Sequence, residues 1–180
     1  MNKFTSSVTI STPFRPYRTM SASVTHDGKS LKNFQTSTTL VTPIGQFEAS
    51  LNHNGVPTRF TSSVSISTPI EGYGRMSASL SNSARQLSNI QSSLTVVIPS
   101  GTYDMSLNHE GVVSRFTTTL TLTTPIRGYE RMTAVLTHAA VEVSDIETSL
   151  TVAIPTGEYE VNFNHKGLLA HFSSTGFIRT

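Results

Sequence analysis

Three histidines occupy equivalent positions in three copies of one sequence unit, and their imidazoles are the groups best suited to chemistry. His53, His109 and His165 each follow an asparagine and stand two positions before a glycine. Imidazole ligates metals and takes up protons near neutral pH, so the recurrence raises the question of a metal site. In a sheet where equivalent residues lie four strands apart, however, they are separated by about 19 Å, and His138 and His165 by about 10 Å. The spacing argues against a shared ion and predicts histidines in turns at strand ends.

Sequence patterns typical of enzymes are missing from the chain. It contains no cysteine, no Gly-x-Ser-x-Gly elbow, no phosphate-binding glycine loop and no His-Glu-x-x-His motif. Glu48, Asp104, Glu147 and Glu160 fall on the predicted polar side of strands, where a solvated carboxylate is the default. We therefore expect no catalysis, no cofactor and no metal site.

The charge content argues against nucleic-acid binding. Charged residues make up 13% of the 180-residue chain, about half the usual share, and the formal net charge is only +2. Lysine and arginine are scattered, mostly in predicted turns, and form no run that could follow a phosphate backbone. Nucleic acid is therefore not an expected partner.

Prolines mark a repeat that fills the chain. Pro13, Pro69 and Pro125 recur every 56 residues. A second series with the same spacing consists of Pro43, Pro99 and Pro155. Fixed-period repetition is the signature of an array of one structural unit. We interpret the chain as one repeat domain, 1–180, with copies 4–59, 60–115 and 116–171 and the start of a fourth copy at 172–180. The restarted fourth copy favours an excerpt of a longer protein.

Apolar residues recur at every second position in each copy, which is the period of a half-buried β-strand. In copy two, Phe60, Val64 and Ile66 face one side, while serines and threonines face the other. The second segments, such as 75–80 and 131–136, alternate in the same way. No helical period occurs in the sequence.

Short connections join these segments. Proline followed by Gly72-Tyr73 or Gly128-Tyr129 predicts a tight reversal with a glycine at positive φ. The Asn-His-x-Gly segments at 52–55, 108–111 and 164–167 predict looser turns. Connections this short allow only antiparallel neighbours. The sequence therefore predicts an all-β antiparallel meander of about 12–13 amphipathic strands with one apolar face, an open sheet unless it closes as a barrel or sandwich.

The apolar face of such a sheet needs a cover. Its area would be on the order of 1,000 Å² or more, whereas soluble monomers leave about 300–600 Å² of contiguous apolar surface bare. The sheet could fold on itself, meet a second sheet or bind lipid. Aromatic residues favour lipid because they form rows along both margins around an aliphatic band, as in lipid-facing sheets. The rows consist of Phe4, Phe34, Phe60 and Phe116 at the first strands and Tyr17, Phe47, Tyr73, Tyr103, Tyr129 and Tyr159 at the second.

The candidate binding residues are the large apolar side chains at alternate positions, on one side of each predicted strand. The predicted lipid-facing residues are Phe4, Val8, Ile10, Met20, Phe60, Val64, Ile66, Met76, Leu80, Tyr103, Met105, Leu107, Phe116, Leu120, Leu122, Met132, Leu136, Tyr159, Val161 and Phe163.

One recurrent phrase resembles a known family. A strand, Thr-Pro, an apolar residue, a variable residue, Gly-Tyr and a second strand follow one another at 68–73 and 124–129. The phrase is similar to the β-rich repeats of the large lipid transfer proteins, which include apolipophorin, apolipoprotein B and vitellogenin-like proteins. The resemblance implies an extracellular carrier of neutral lipid or phospholipid whose amphipathic strands lie on the lipid. Copy one departs from the phrase, with Arg15-Pro16-Tyr17 in place of Gly-Tyr.

Two alternatives remain open at this point. The chain could be a structural or self-assembling β-repeat module, natural or designed, that forms a sandwich, a barrel or a face-to-face oligomer without a ligand. A transmembrane barrel also fits the strand length. For either a carrier or a module we expect a homo-oligomer or a part of a larger chain, because the first and last strands of a meander leave edges that pair readily.

Overall fold

The computed structural model describes residues 2–14, 19–142, 144–168 and 171–179 of the chain. Within these ranges every regular element is a β-strand and no residue is helical. The alternation of apolar and polar residues explains this result, because period two presents one side of a strand to each face of a sheet. The all-β prediction is confirmed.

Thirteen strands lie in the described residues, and they are hydrogen-bonded in chain order from β1 to β13. Neighbouring strands are antiparallel in every pair whose register is defined. The strands are β1 (Asn2–Ser11), β2 (Thr19–Ser30), β3 (Asn33–Thr42), β4 (Gly45–Val56), β5 (Arg59–Ser67), β6 (Arg75–Gln86), β7 (Asn89–Ile98), β8 (Gly101–Val112), β9 (Arg115–Thr123), β10 (Arg131–Glu142), β11 (Asp145–Ile154), β12 (Gly157–Leu168) and β13 (His171–Arg179). The predicted meander of 12–13 strands is confirmed.

Two compact units divide the chain. Unit 1 consists of Met1–Ser81 and Leu94–Thr102, and unit 2 consists of Asn82–Ser93 and Tyr103–Thr180. Shorter and longer strands alternate along the repeat, and each unit contains both types. The longer strands, such as β4 and β8, have 12 residues.

The Asn-His-x-Gly segments are not turns, contrary to the sequence prediction. Asn52 to Gly55 lie inside β4, and the ladder to β5 continues through Gly55 opposite Phe60 to Val56 opposite Arg59. The turn is only Pro57-Thr58. Asparagine and glycine are common turn formers, but here the two-residue turn lets the ladder continue past both of them. The corresponding segments of β8 and β12 are also strand.

The Thr-Pro connections are closed by a threonine side chain. Thr124 Oγ1 donates to the Tyr129 carbonyl at 2.7 Å and accepts from the Ile126 N–H at 3.2 Å. The Thr124 N–H also donates to the Glu130 carbonyl at 3.0 Å. The predicted positive-φ glycine is confirmed, with Gly128 at +83°. The turn at Thr68 repeats this pattern with Gly72 at +80°.

The sequence-based prediction was wrong for two tyrosines. Tyr73 and Tyr129 do not begin the second strands; they lie in the preceding turns, because Arg75 and Arg131 are the first strand residues of β6 and β10. The two residues are 57% and 45% exposed. Tyr17, predicted for the same row, lies outside the described residues.

Among the described residues no hydrophobic side chain is buried. The sheet is therefore held by its backbone ladders and by cross-strand side-chain pairs, each of which contributes about 0.2–1 kcal/mol. Large apolar side chains in the middle of strands remain well exposed, for example Val64 at 38% and Leu120 at 37%. Nothing in the described part of either unit covers the apolar side of its strands.

The apolar faces as a candidate binding site

Strand register places the predicted residues of unit 1 on one side of the sheet. In an antiparallel ladder, residues directly opposite each other project to the same face. Ile10 lies opposite Met20, and Leu51 lies opposite Val64. We call this side the apolar face of unit 1. It carries Phe4, Val8, Ile10, Met20, Phe60, Val64 and Ile66, together with Leu40, Phe47 and Leu51. Met76 and Leu80 share one side of β6 by alternation.

Unit 2 has an apolar face of the same kind. Leu107 lies opposite Leu120, which lies opposite Ala134 on the next strand. Leu150 lies opposite both Leu136 and Val161. This face brings together Tyr103, Met105, Leu107, Phe116, Leu120, Leu122, Met132, Leu136, Tyr159, Val161 and Phe163. All of the predicted candidate residues are therefore strand residues, and they share the apolar sides of their units wherever the register is defined.

The predicted carboxylates lie on the opposite side, here called the polar face. Glu48 lies opposite Thr39 and Ser67, and Asp104 lies opposite Thr123. Lys3 and Asp27 form an ion pair there at 3.1 Å. Among the described strand residues, no Lys, Arg, Asp or Glu occupies a position that projects to the apolar faces. Charge is thus confined to the polar face, the bulges and the turns.

Histidines belong to the apolar faces, which the sequence did not predict. In unit 1 the rings of Phe4, His26, Phe34, His53 and Phe60 follow one another across five strands. Successive ring centroids are 5.3, 6.0, 5.2 and 5.7 Å apart. In unit 2, Phe116 lies between His109 and His138 at 5.3 and 5.1 Å. Such distances are those of stacked or tilted aromatic pairs. We call these rows the Phe/His margins.

Each histidine of these faces also hydrogen-bonds a hydroxyl group on the next strand. His26 Nδ1 lies 2.8 Å from Thr36 Oγ1, and His53 Nδ1 lies 2.8 Å from Ser62 Oγ. In unit 2 the corresponding pairs are His109 with Thr118, His138 with Thr148, and His165 with Ser174, at 2.7 to 2.9 Å. Asn82 occupies the position equivalent to His26 and His138, and it accepts the same bond from Ser92 at 2.7 Å. The Nδ1 atoms of these histidines and the hydroxyl groups that they meet are therefore paired within the sheet.

The Phe/His margin of unit 2 also forms a shallow cavity. Its volume is about 440 Å³, and its lining includes His109, Phe116, Leu87 and Val113. Leu87 and Val113 lie in two-residue turns and are 89% and 91% exposed. The apolar surface therefore extends past the strand ends into the turns, where hydrophobic residues are otherwise unfavourable in water.

Histidine was misplaced because two sequence signals competed. Asn-His-x-Gly reads as a turn, yet His53 has the same parity as Phe47, Ala49 and Leu51 in one uninterrupted alternation. Extending the period-two pattern through Leu51 would have placed His53 on the apolar face. Among the described residues, no three His, Cys, Asp or Glu side chains come together in a group that could hold a metal ion.

Comparison with known proteins adds no relative. No protein family, curated protein or solved structure matches the chain. In the described part of the chain, no helix has the length and apolar character needed to cross a bilayer.

Proposed function

We propose that the chain is a non-enzymatic lipid-binding sheet whose apolar faces lie on lipid. The observation that carries the proposal is an apolar side in each unit that has no charged strand residue and no cover among the described residues. Val8, Leu51, Met105 and Val161 are 57, 38, 40 and 42% exposed there. Water-exposed apolar area of this extent costs about 25 cal/mol per Å², which contact with lipid removes.

The hydrogen-bonded imidazole Nδ1 and hydroxyl groups on these faces do not oppose such contact while the rings are neutral. Burying a hydroxyl or an imidazole without a partner would cost roughly 1–3 kcal/mol. The bonds from His53 to Ser62 and from His109 to Thr118 already satisfy these groups inside the sheet. An apolar phase can therefore cover the faces without leaving the bonded Nδ1 and hydroxyl groups unpaired.

Exposed hydrophobic side chains in the turns support the same function. Leu31, Leu87 and Val113 are 92, 89 and 91% exposed at the ends of strands. Side chains of this kind gain little from the sheet itself, but they can insert into lipid beside its margin. The resemblance of the Thr-Pro-x-x-Gly-Tyr phrase to large lipid transfer proteins points to extracellular lipid carriage, and an extracellular location is part of this proposal.

A flotation experiment tests the proposal. The protein is mixed with triolein droplets coated with phosphatidylcholine and centrifuged through a density gradient. We expect the wild-type chain to float with the droplets. Leu120→Asp places a charge on the apolar face and should reduce the floating fraction about tenfold or more. Thr119→Asp, its neighbour on the polar face, is the matched control and should float like the wild type. A wild-type chain that stays at the bottom contradicts the proposal.

A second sheet is the alternative cover, and one feature of the faces favours it. Ala22 lies between Val8 and Leu40, and Ala134 lies between Leu120 and Val152. Large and small side chains in alternation form a corrugated surface into which another such surface can interdigitate. The chain would then be a structural module that forms face-to-face oligomers. Light scattering of lipid-free protein tests this: a dimer disrupted by Leu120→Asp supports the module, and a monomer contradicts it.

A further inference from the structure

Five histidines are the only side chains on the described apolar faces that gain charge when the pH falls below neutral. They are His26, His53, His109, His138 and His165. All five are half-buried. The faces also carry the phenols Tyr103 and Tyr159, and a phenol has no positively charged form. Imidazole gains its proton between about pH 8 and pH 5.

No acidic group faces these imidazoles to stabilise their charge. In unit 1, His26 meets Phe4, Phe34 and Thr36, and His53 meets Phe34, Phe60 and Ser62. In unit 2, the neighbours are Phe116 and Thr118 for His109, Phe116 and Thr148 for His138, and Ile146 and Ser174 for His165. Strand β7, the other neighbour of β8, contains no ionisable residue.

Charged residues near the histidines lie elsewhere. Those on the polar face are Lys3, Asp27, Arg59, Glu110, Arg115, Asp145, Glu147 and Lys166, and those in or beside the bulges and turns of this margin are Lys29, Lys32, Arg85 and Glu142. The sheet backbone separates the first group from the imidazoles. Protonated histidines therefore need water, which an apolar cover excludes.

Protonation leaves the sheet itself intact. The hydroxyl groups of Ser62 and Thr118 can donate to a neutral Nδ1 and can equally accept from a protonated one. The bonds of 2.8 Å from His53 and His109 therefore persist in both states. What changes is the cost of covering the ring, because a charged imidazole loses its hydration when the face is covered.

We propose that the histidines make the lipid contact of the apolar faces pH-dependent, so that the chain binds at neutral pH and releases lipid on acidification. The inference rests on the proposed function. Covering the faces favours the neutral rings and expels protons, so affinity rises with pH and falls as the pH drops through the titration of imidazole. One histidine lies in each even-numbered strand from β2 to β12, except in β6, where Asn82 replaces it.

Asn82 supplies a matched control within the chain. Its side chain makes the same cross-strand bond to Ser92, at 2.7 Å, as the histidines make to theirs, but it does not titrate. Replacing each of the five histidines by asparagine therefore copies an arrangement that the sheet already contains. The reverse change, Asn82→His, adds a sixth titrating group at an equivalent position.

The test is flotation on phosphatidylcholine-coated triolein droplets at about pH 7.5 and about pH 5, on either side of the imidazole titration. Phosphatidylcholine keeps no net charge over this range, so the lipid surface does not change. We expect wild-type binding to fall about tenfold or more at the lower pH, because protonated imidazoles resist removal from water. The five-asparagine variant should bind equally at both, and Asn82→His should show a larger fall than the wild type.

The outcomes separate the two proposals. A wild-type chain that does not float at about pH 7.5 fails the lipid-binding proposal and this inference with it. Equal wild-type binding at both pH values overturns only the inference, as does release of the five-asparagine variant at the lower pH. Circular dichroism at both pH values checks that each variant retains its strands. If the five-asparagine variant does not fold, the comparison of Asn82→His with the wild type decides.

Discussion

Gly55 lies directly opposite Phe60 in the β4–β5 ladder, and a Cβ atom at Gly55 would stand 2.5 Å from the Phe60 Cα. The same atom would also collide with the Arg59 carbonyl oxygen, and Gly55 has a φ of +129°. Gly111 repeats the arrangement opposite Phe116. Glycine here allows the two strand backbones to approach closely next to the two-residue turn, while the phenylalanine ring lies in the Phe/His margin.

Alanine at these glycines should destabilise the sheet. We expect Gly55→Ala and Gly111→Ala each to cost more than about 1 kcal/mol, because both the positive φ and the backbone contact disfavour a side chain. Urea denaturation followed by circular dichroism measures the effect. Gly74→Ala is the control, since a Cβ atom at Gly74 meets nothing within 4 Å. Equal midpoints for Gly55→Ala and Gly74→Ala would show that the close approach is unimportant.

Removing the hydroxyl of Thr124 should open the turn between β9 and β10. Thr124 is only 8% exposed, and its Oγ1 bonds both the Tyr129 carbonyl and the Ile126 N–H. Thr124→Val leaves these two groups without their partner at nearly constant volume, so we expect a loss of about 1–2 kcal/mol. The urea midpoint is again the measurement. Thr124→Ser keeps the hydroxyl and should lose less than half as much.

Most of the fold follows from the sequence because its determinants are local. Period-two alternation in segments such as β5 and the positive φ of Gly72 and Gly128 depend on residues close together in the chain. The failures lie where local signals conflict with pairing. The turn-like Asn52-His53-Asn54-Gly55 is strand because the ladder runs on to Val56 opposite Arg59, and only the register reveals this. The bond from His53 to Ser62 likewise joins two strands, so no single segment predicts it.

Glu130 should contribute to stability in a pH-dependent way. The Gly128 N–H donates to its carboxylate at 2.9 Å, and this bond, with a second from the Glu130 backbone N–H, lowers the pKa of Glu130 below its ordinary value of 4.5. A lowered pKa in the folded state means that the contribution is complete above about pH 4.5 and is lost as the pH falls through the folded-state value. NMR titration of the Glu130 carboxyl carbon measures the shift.

Two variants test the cause of the Glu130 shift. Glu130→Gln should unfold in urea at a midpoint that depends less on pH in the acidic range than that of the wild type. Proline at 128 would remove the N–H but also forbid the φ of +83°, so it cannot serve as the control. Gly74→Glu is the converse test, because it introduces a carboxylate at the equivalent turn of copy two, next to Gly72 at +80°, and the pKa of this carboxylate should be lowered in the same way. A pKa at Glu130 equal to that of a free glutamate would contradict the assigned hydrogen bond.

Cysteine labelling should identify the surface that contacts lipid. The chain has no cysteine, so a single introduced thiol reports one position. Met105 is 40% exposed on the apolar face of unit 2, and the adjacent Ser106 lies on the polar face opposite Thr121. With droplets present, a water-soluble maleimide should react about tenfold more slowly with Met105→Cys than with Ser106→Cys, because lipid excludes the reagent and disfavours the thiolate that attacks it. Without droplets the two should react at similar rates.

Protection of position 105 that grows with protein concentration in the absence of lipid would instead indicate a second sheet as the cover. Equal reactivity of both thiols on floating droplets would mean that lipid contacts some other part of the chain.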